Sequence, residues 1–467
     1  MNLRLLRAAT AASVAFCAFH TSLLSAQQAA VTSSSTDKDT TNTAPAEAAN
    51  IPAKPPSSRQ DYTLKGASTF ILDTQTGFPA AYNGPNSLLP GDTVRETFSF
   101  DIYFADRLWQ GGEIYINPEY FQGYGFSDTR GVAAFPNGEA YKVGVRDGDI
   151  FLPHFFFRQT FGLGGEKEKI EEDLLHMEGS QDVNRITITF GRFSVGDIFD
   201  NNTYSHDSRN QFMNWALIDA GAFDYAADSL GYTQGLAVEY NTKDWALRWG
   251  TFLVPRVSNG LAIDSHVFEA WQEILEYERR YTVWGHPGTA RLLGWVMRAH
   301  MGSYADTLNT PGDGVDIALT ERYRLEEGLE LNLEQEFWKN VGAFMRASWR
   351  DGHSEVWAFT DIDRSFSTGL SFQGKMWDRD NDNVGLAYVI SGLSPSHEAF
   401  LAAGGLGPLI GDGALNYGYE QVFEAYYSLQ IVKGLHFTLD YQLVANPGYN
   451  KDRGPINFIA GRLHWEF

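Results

Sequence analysis

Val94-Arg95-Glu96-Thr97-Phe98-Ser99-Phe100-Asp101-Ile102-Tyr103-Phe104 sorts its side chains by parity. Phe98, Phe100, Ile102 and Phe104 fall on one side of an extended chain, and Arg95, Thr97, Ser99 and Asp101 on the other. A helix would spread both sets around its circumference, whereas a strand separates them. The pattern recurs in 329–337, where Leu329, Leu331, Leu333 and Phe337 oppose Glu330, Asn332, Glu334 and Glu336. It recurs in 435–443, where Leu435, Phe437, Leu439, Tyr441 and Leu443 oppose His436, Thr438, Asp440 and Gln442. Similar runs lie near 111–119, 154–162, 185–193, 232–240, 244–253, 291–301, 341–350, 366–374, 383–391, 421–431 and 456–467. With shorter runs added, the sequence predicts an all-β chain of about sixteen strands, an even number as a bacterial transmembrane antiparallel β-barrel requires. The runs have the roughly 9–11 residues that a tilted strand needs to cross a bilayer.

A soluble β-sandwich alternates too, but two features argue for the membrane. The polar face is charged on strand after strand, which suits a wet lumen and not a buried sheet. Large aromatics gather near run ends, at Trp245, Trp249, Trp295, Trp338, Trp349, Tyr427 and Trp465, as the girdles at two membrane interfaces would. The mean hydropathy of −0.29 fits strands that hide one apolar face. The net charge of −22 argues against a nucleic-acid partner, since a phosphate backbone needs a basic surface.

The start of the chain reads as an export signal. Arg4 and Arg7 precede an apolar stretch from Ala8 to Leu24, and small residues Ser25 and Ala26 follow. The expected organisation is a signal peptide over 1–26, a disordered Ala/Thr/Ser/Pro-rich periplasmic tail over 27–65 and a barrel domain over 66–467. The only cysteine, Cys17, falls within the signal, so thiolate chemistry and a disulfide framework are not expected. Two stretches break the strand pattern. Residues 264–281 read as a loop helix, with Val267, Trp271, Ile274 and Leu275 on one face. Residues 164–182, dense in Glu and Lys, read as a charged loop or short helix.

No nucleophile elbow, His-Glu-x-x-His or Walker loop is present, so no enzyme, cofactor or metal centre is expected. Asp378, Asp380 and Asp382 have the spacing of the first calcium-loop ligands, but Asn383 and Val389 stand where glycine and glutamate belong, so the stretch reads as a polar turn. The oxygen-rich cluster of Asp197, Asp200, Asn201, Asn202, His206 and Asp207 reads as a loop held by Asx turns, ahead of a site for hard cations. By parity, the pore-lining candidates are Arg95, Asp101, Glu113, Glu119, Arg158, Arg248, Arg298, Glu334 and Arg346, with Glu330, Glu336, Glu424 and Asp440 on the same face. Guanidinium and carboxylate groups in a narrow pore can replace water around a sugar hydroxyl, and aromatic faces can stack on a pyranose ring.

Several stretches, in order, resemble the carbohydrate-selective porin (OprB) family of outer-membrane channels. They are Gly191-Arg192-Phe193-Ser194-Val195-Gly196-Asp197-Ile198-Phe199-Asp200-Asn201-Asn202, Phe212-Met213-Asn214-Trp215-Ala216 and Gly131-Val132-Ala133-Ala134-Phe135-Pro136-Asn137-Gly138-Glu139-Ala140. Asp378-Arg379-Asp380-Asn381-Asp382-Asn383-Val384-Gly385-Leu386, Glu424-Ala425-Tyr426-Tyr427, Asn446-Pro447-Gly448 and the closing Gly461-Arg462-Leu463-His464-Trp465-Glu466-Phe467 complete the set. The resemblance runs from about residue 95 to the C-terminus. It implies a sixteen-strand barrel with inward-folded loops, in the outer membrane of a Gram-negative bacterium, taking up sugars, including monosaccharides, and other small polar solutes by passive diffusion. Some members of this broad group look like divalent-cation channels, notably for manganese, which is the alternative solute. Outer-membrane lipid and the barrel assembly machinery are the implied partners.

Overall fold

In hydrocarbon every backbone N–H and C=O must be satisfied within the protein, so a membrane-spanning sheet has to close on itself. The computed structural model describes residues 60–91, 93–140, 145–311 and 314–467, and it shows that closure. The strands are β1 (Tyr62–Gln75), β2 (Val94–Trp109), β3 (Gly112–Gly123), β4 (Val145–Gly162), β5 (Lys167–Ile170) and β6 (Gly179–Asp182). They continue as β7 (Arg185–Phe193), β8 (Thr233–Asn241), β9 (Trp245–Phe252), β10 (Trp271–Val283), β11 (His286–Met301) and β12 (Arg322–Trp338). The last are β13 (Val341–Arg350), β14 (Arg364–Gln373), β15 (Asn383–Gly392), β16 (Glu420–Val432), β17 (Leu435–Ala445) and β18 (Ile456–Glu466). Among the described residues, sixteen of these form one closed antiparallel barrel, and β5 and β6 pair only with each other. The first and last strands seal it, from Ala67 opposite Glu466 to Gln75 opposite Phe458. The signal and most of the tail expected over 1–65 lie outside the described residues, and β1 begins at Tyr62, inside the stretch read as tail.

Tight turns such as 110–111, 242–244 and 339–340 gather at one end of the barrel with the C-terminus, and the long connections 76–93, 194–232, 253–270, 302–321 and 393–419 gather at the other. In bacterial barrels the turn end faces the periplasm and the loop end the exterior. Parity sets the faces as the sequence predicts. Phe70, Leu72, Ile102, Phe104, Leu329, Leu439 and Leu463 point out into the lipid position, while Thr97, Asp101, Glu330 and Asp440 point in. Trp109, Trp245, Trp338, Tyr427 and Trp465 ring the turn end on the outer face.

Four readings are corrected. Residues 271–283 are the strand β10, not a helix, because pairing with β9 and β11 outweighs the helical propensity of their Glu and Leu residues. Residues 164–182 hold the β5–β6 hairpin. Trp295 faces inward, 3% exposed, against Phe223 and over the backbone of Gly328, where any Cβ would lie 2.0 Å from its ring. Arg298 faces outward beside Trp271 and Leu325, near the loop end of β11, where it pairs with Glu269 and lies over the Tyr323 ring. On β11 the inward residues Leu293, Trp295, Met297, Ala299 and Met301 are themselves apolar because they pack on an inserted loop, so polarity no longer marks the lumen face.

Candidate functional site

The 194–232 loop follows β7 and fills the middle of the barrel. It enters through a 3-10 turn, Val195–Asp197, in which the Ser194 amide donates to Asp197 Oδ2 at 2.8 Å. Wall residues then bolt it down. Arg346 Nε donates to Asp200 Oδ1 at 2.7 Å, and its Nη atoms donate to the carbonyls of Leu217, Asp200 and Ser205 at 2.9, 3.1 and 2.7 Å. Carboxylates accept from its backbone: Glu276 from Asp200 N at 2.9 Å, Glu334 from Thr203 N at 2.6 Å, and Glu424 from Met213 N and Asn214 N at 2.5 and 3.0 Å. Arg462 donates to the carbonyls of Ser208 and Gln211. Burying these charges is tolerable because each meets a complementary backbone dipole or an opposite charge.

This anchoring aims two groups at the remaining space. Asp207 accepts from Arg209 N at 2.8 Å and Asn210 Nδ2 at 2.8 Å, an Asx-type turn. Arg209 then reaches Asp101 at 2.8 Å, Glu119 at 3.0 Å and Glu139 at 3.0 Å, one carboxylate for each guanidinium nitrogen. Burial would weaken its charge, and the three carboxylates more than offset that and hold it protonated. Five residues on, Asn214 caps the short helix Trp215–Ile218 by accepting from Ala216 N at 3.1 Å. Trp215 stacks on Phe359 at 4.4 Å and on Phe135 at 5.2 Å, and Tyr225 lies 4.6 Å from Phe359. Phe135, Tyr225 and Phe359 are buried, while Trp215 is only half-buried and offers an aromatic surface.

Both groups border one cavity of about 510 Å³, with Asp197, His206, Asp219 and Tyr232 on its wall and Asp173–His176 at its turn end. Asp219 is pushed up to about 6, first by burial and then by the nearby Asp200 charge. The volume is that of a site for a small molecule.

The pore-lining candidates divide. Asp101 and Glu119 meet at Arg209. Glu113 and Arg158 lie nearer the turn end, the former pairing with Arg107 and the latter over the Tyr115 and Phe156 rings. Arg95 lies over the Tyr124 ring. Glu334 and Arg346 hold the loop, and Arg248 ties Glu239, Glu276 and Glu278 together. Arg298 leaves the lumen. Parity could not find Arg209, Glu139 or Trp215, because they stand on loops without a period; the stretches 131–140 and 212–216 carried only the family resemblance. The cluster from Asp197 to Asp207 is spent on internal bonds: Asp197 with His154 at 3.0 Å, Asp200 with Arg346, and Asn202 with Asn332 at 2.7 Å. No group of three His, Cys, Asp or Glu arranged for a metal occurs among the described residues. At 374–382, Asp382 pairs with Arg379 and accepts from Gln430 N at 3.0 Å, within a turn.

The sequence profile of the OprB family, carbohydrate-selective porin, matches residues 86–467. Comparison with curated protein sequences gave no match. Among solved structures, the high-pH form of Pseudomonas putida OprB superposes with a TM-score of 0.67 at 16% identity, over 87% of this chain and 94% of that one. The low-pH form of the same protein gives 0.47 at 12% identity, over 87% and 93%. The outer membrane channel DcaP of Acinetobacter baumannii gives 0.49 at 10% identity, over 87% and 97%.

Proposed function

The chain belongs to the OprB family of carbohydrate-selective porins, and from that premise we propose that sugars cross its barrel through the cavity between Arg209 and Trp215. It is an outer-membrane porin for passive diffusion of carbohydrates and other small polar solutes. The observation that carries the route is the pairing, in one cavity, of a partly exposed indole with a guanidinium held among three carboxylates. A pyranose has one apolar face and a rim of hydroxyls. The exposed part of Trp215 can shield the first, and Arg209 with Glu119 and Glu139 can exchange hydrogen bonds with the second as water leaves. The bonds are many and individually modest, so a solute can bind and still move on.

The pore-lining assignment therefore narrows to Glu119, joined by Glu139, Arg209 and Trp215, with Asp101 buried behind Arg209 as its counter-ion. Glu113 and Arg158 serve the periplasmic half. Arg95, Arg248, Glu334 and Arg346 shape the lumen without meeting the solute. The family and fold are those of channels, and the role left to the charges is conduction, not catalysis. Outer-membrane lipid covers the outward row that includes Phe70, Leu329 and Leu439, and the assembly machinery is the partner of the aromatic last strand.

Liposome swelling tests the route. Trp215→Ala should slow glucose entry relative to a small ion of similar bulk permeability, because stacking on an aromatic is worth about 0.5–1.5 kcal/mol. Equal slowing of both, or of neither, would contradict a sugar-specific surface at Trp215.

A further inference from the structure

Connections at the turn end of a bacterial barrel are short. Here 110–111, 242–244, 284–285, 339–340 and 433–434 obey that rule, 374–382 is longer, and 163–184 is the longest of them. The β5–β6 hairpin occupies its outer part, with Lys167 opposite Asp182 and Ile170 opposite Gly179. Between the two strands, residues 171–178 turn back into the mouth of the barrel. A solvated loop would need few anchors there, and this segment has several. Glu172 accepts from Thr63 Oγ1 at 2.6 Å and Gln60 Nε2 at 2.8 Å, and lies 3.5 Å from Lys65 Nζ. The Glu178 amide donates to Gln60 Oε1 at 2.7 Å, and Arg158 donates to the Leu175 carbonyl at 2.8 Å. Met177 is 1% exposed, packed in a cluster with Ala105, Tyr115 and Phe156. The turn is also stiffened from within: Asp173 accepts from Leu175 N at 2.8 Å and pairs with His176 Nδ1 at 2.9 Å. Asp173, Leu174, Leu175 and His176 border the same cavity as Arg209 and Trp215.

We propose that Asp173–His176 form a size filter on the periplasmic side of the chamber, a second constriction that sets the largest solute the porin passes. The 194–232 loop then forms the exterior side of the chamber and the 171–178 segment its floor. The buried Met177 and the Glu172 latch fix the floor's height, and the side chains at 174 and 176 set the free opening. A chamber of about 510 Å³ has the size of a site for one small molecule, so the width of its floor decides which solutes pass. The size limit is thus imposed by the floor, while recognition stays with the indole and the charge cluster; this inference rests on sugars crossing that chamber.

The test uses the full chain in planar bilayers, with polyethylene glycols of graded size as neutral probes. His176→Cys places a thiol on a half-exposed side chain, so the barrel should form as in the wild type. A bulky, membrane-impermeant methanethiosulfonate should then lower single-channel conductance by half or more and move the polymer cut-off to smaller sizes. The wild-type channel should not respond. A second variant, Leu174→Gly with Leu175→Gly, should move the cut-off to larger sizes. An unmoved cut-off in both variants would overturn the filter, because residues outside the path cannot set its width. The polymer readout does not depend on sugar binding. If position 176 controls the cut-off while Trp215→Ala leaves sugar flux unchanged, the filter stands and the sugar route fails. If the cut-off stays fixed while Trp215→Ala slows sugar selectively, the sugar route stands and the filter fails.

Discussion

Arg346→Met should free the 194–232 loop while leaving the barrel closed. Methionine replaces the aliphatic stem, so no large void forms, but four hydrogen bonds from the guanidinium to Asp200, Leu217 and Ser205 disappear together. Both Arg346 and Asp200 are about 1% exposed, so water cannot take over where they stand. Removing one partner of such a buried pair costs about 3–5 kcal/mol. At about 1.4 kcal/mol per factor of ten, the docked loop loses roughly two to three and a half orders of magnitude in occupancy against its released forms. The ladder from β12 through β13 to β14 uses backbone groups only and should survive. Unboiled protein should therefore keep its folded mobility on a gel, while single channels show a higher mean conductance and new slow fluctuations. Arg298→Met is the control. Its pair with Glu269 is outward and partly exposed, worth about 0–1 kcal/mol, and its traces should match wild type. Steady, wild-type conductance in Arg346→Met would refute the idea that this residue holds the loop. Loss of the barrel itself would show that the arginine serves folding and not the constriction.

A pH response should come from Asp219. Its carboxyl is raised to about 6, so the folded loop binds this proton more tightly than the unfolded chain does; its stabilising contribution is complete below the ordinary carboxylate range and is lost as pH rises through about 6. Between pH 7 and pH 5 the cavity should lose one negative charge, the reversal potential in a KCl gradient should move toward weaker cation preference, and Asp219→Asn should abolish that step. Deleting Phe467 should reduce the amount of barrel in the outer membrane without altering the conductance of channels that insert, since its amide and carbonyl each bond Gly66 at 2.9 Å at the seam and its ring stacks near Phe100, away from the cavity. A changed conductance with normal insertion would instead give the last residue a part in shaping the pore.

The barrel was legible because lipid and water impose opposite demands on alternate residues. From Val94 to Phe104 nothing but parity was needed, and the runs 185–193 and 341–350 coincide with β7 and β13. Parity fails where the lumen is packed instead of wet. Met297 and Ala299 face inward and Arg298 faces out because the loop core supplies the inward face of β11 with apolar partners. The failure at 271–283 has a related cause, since a strand rich in Glu and Leu looks amphipathic at either period and only its neighbours decide between them. Facing inward also proved different from being wet: Thr97 points into the barrel yet is 2% exposed, with Asn137 Nδ2 at 3.4 Å. The site itself was the least legible part. Arg209, Glu139 and Trp215 come from separate loop positions, and their convergence depends on anchors such as Glu424, which the sequence presents only as a lumen charge, and Arg462, which it presents only within the family resemblance.

The most direct measurement is planar-bilayer recording of the purified full-length protein with glucose added at rising concentration. Discrete conductance steps are expected in salt alone, with a saturating reduction of ion current as glucose occupies the chamber between Arg209 and Trp215. Conductance steps that glucose leaves unchanged at every concentration would contradict a sugar path through that chamber.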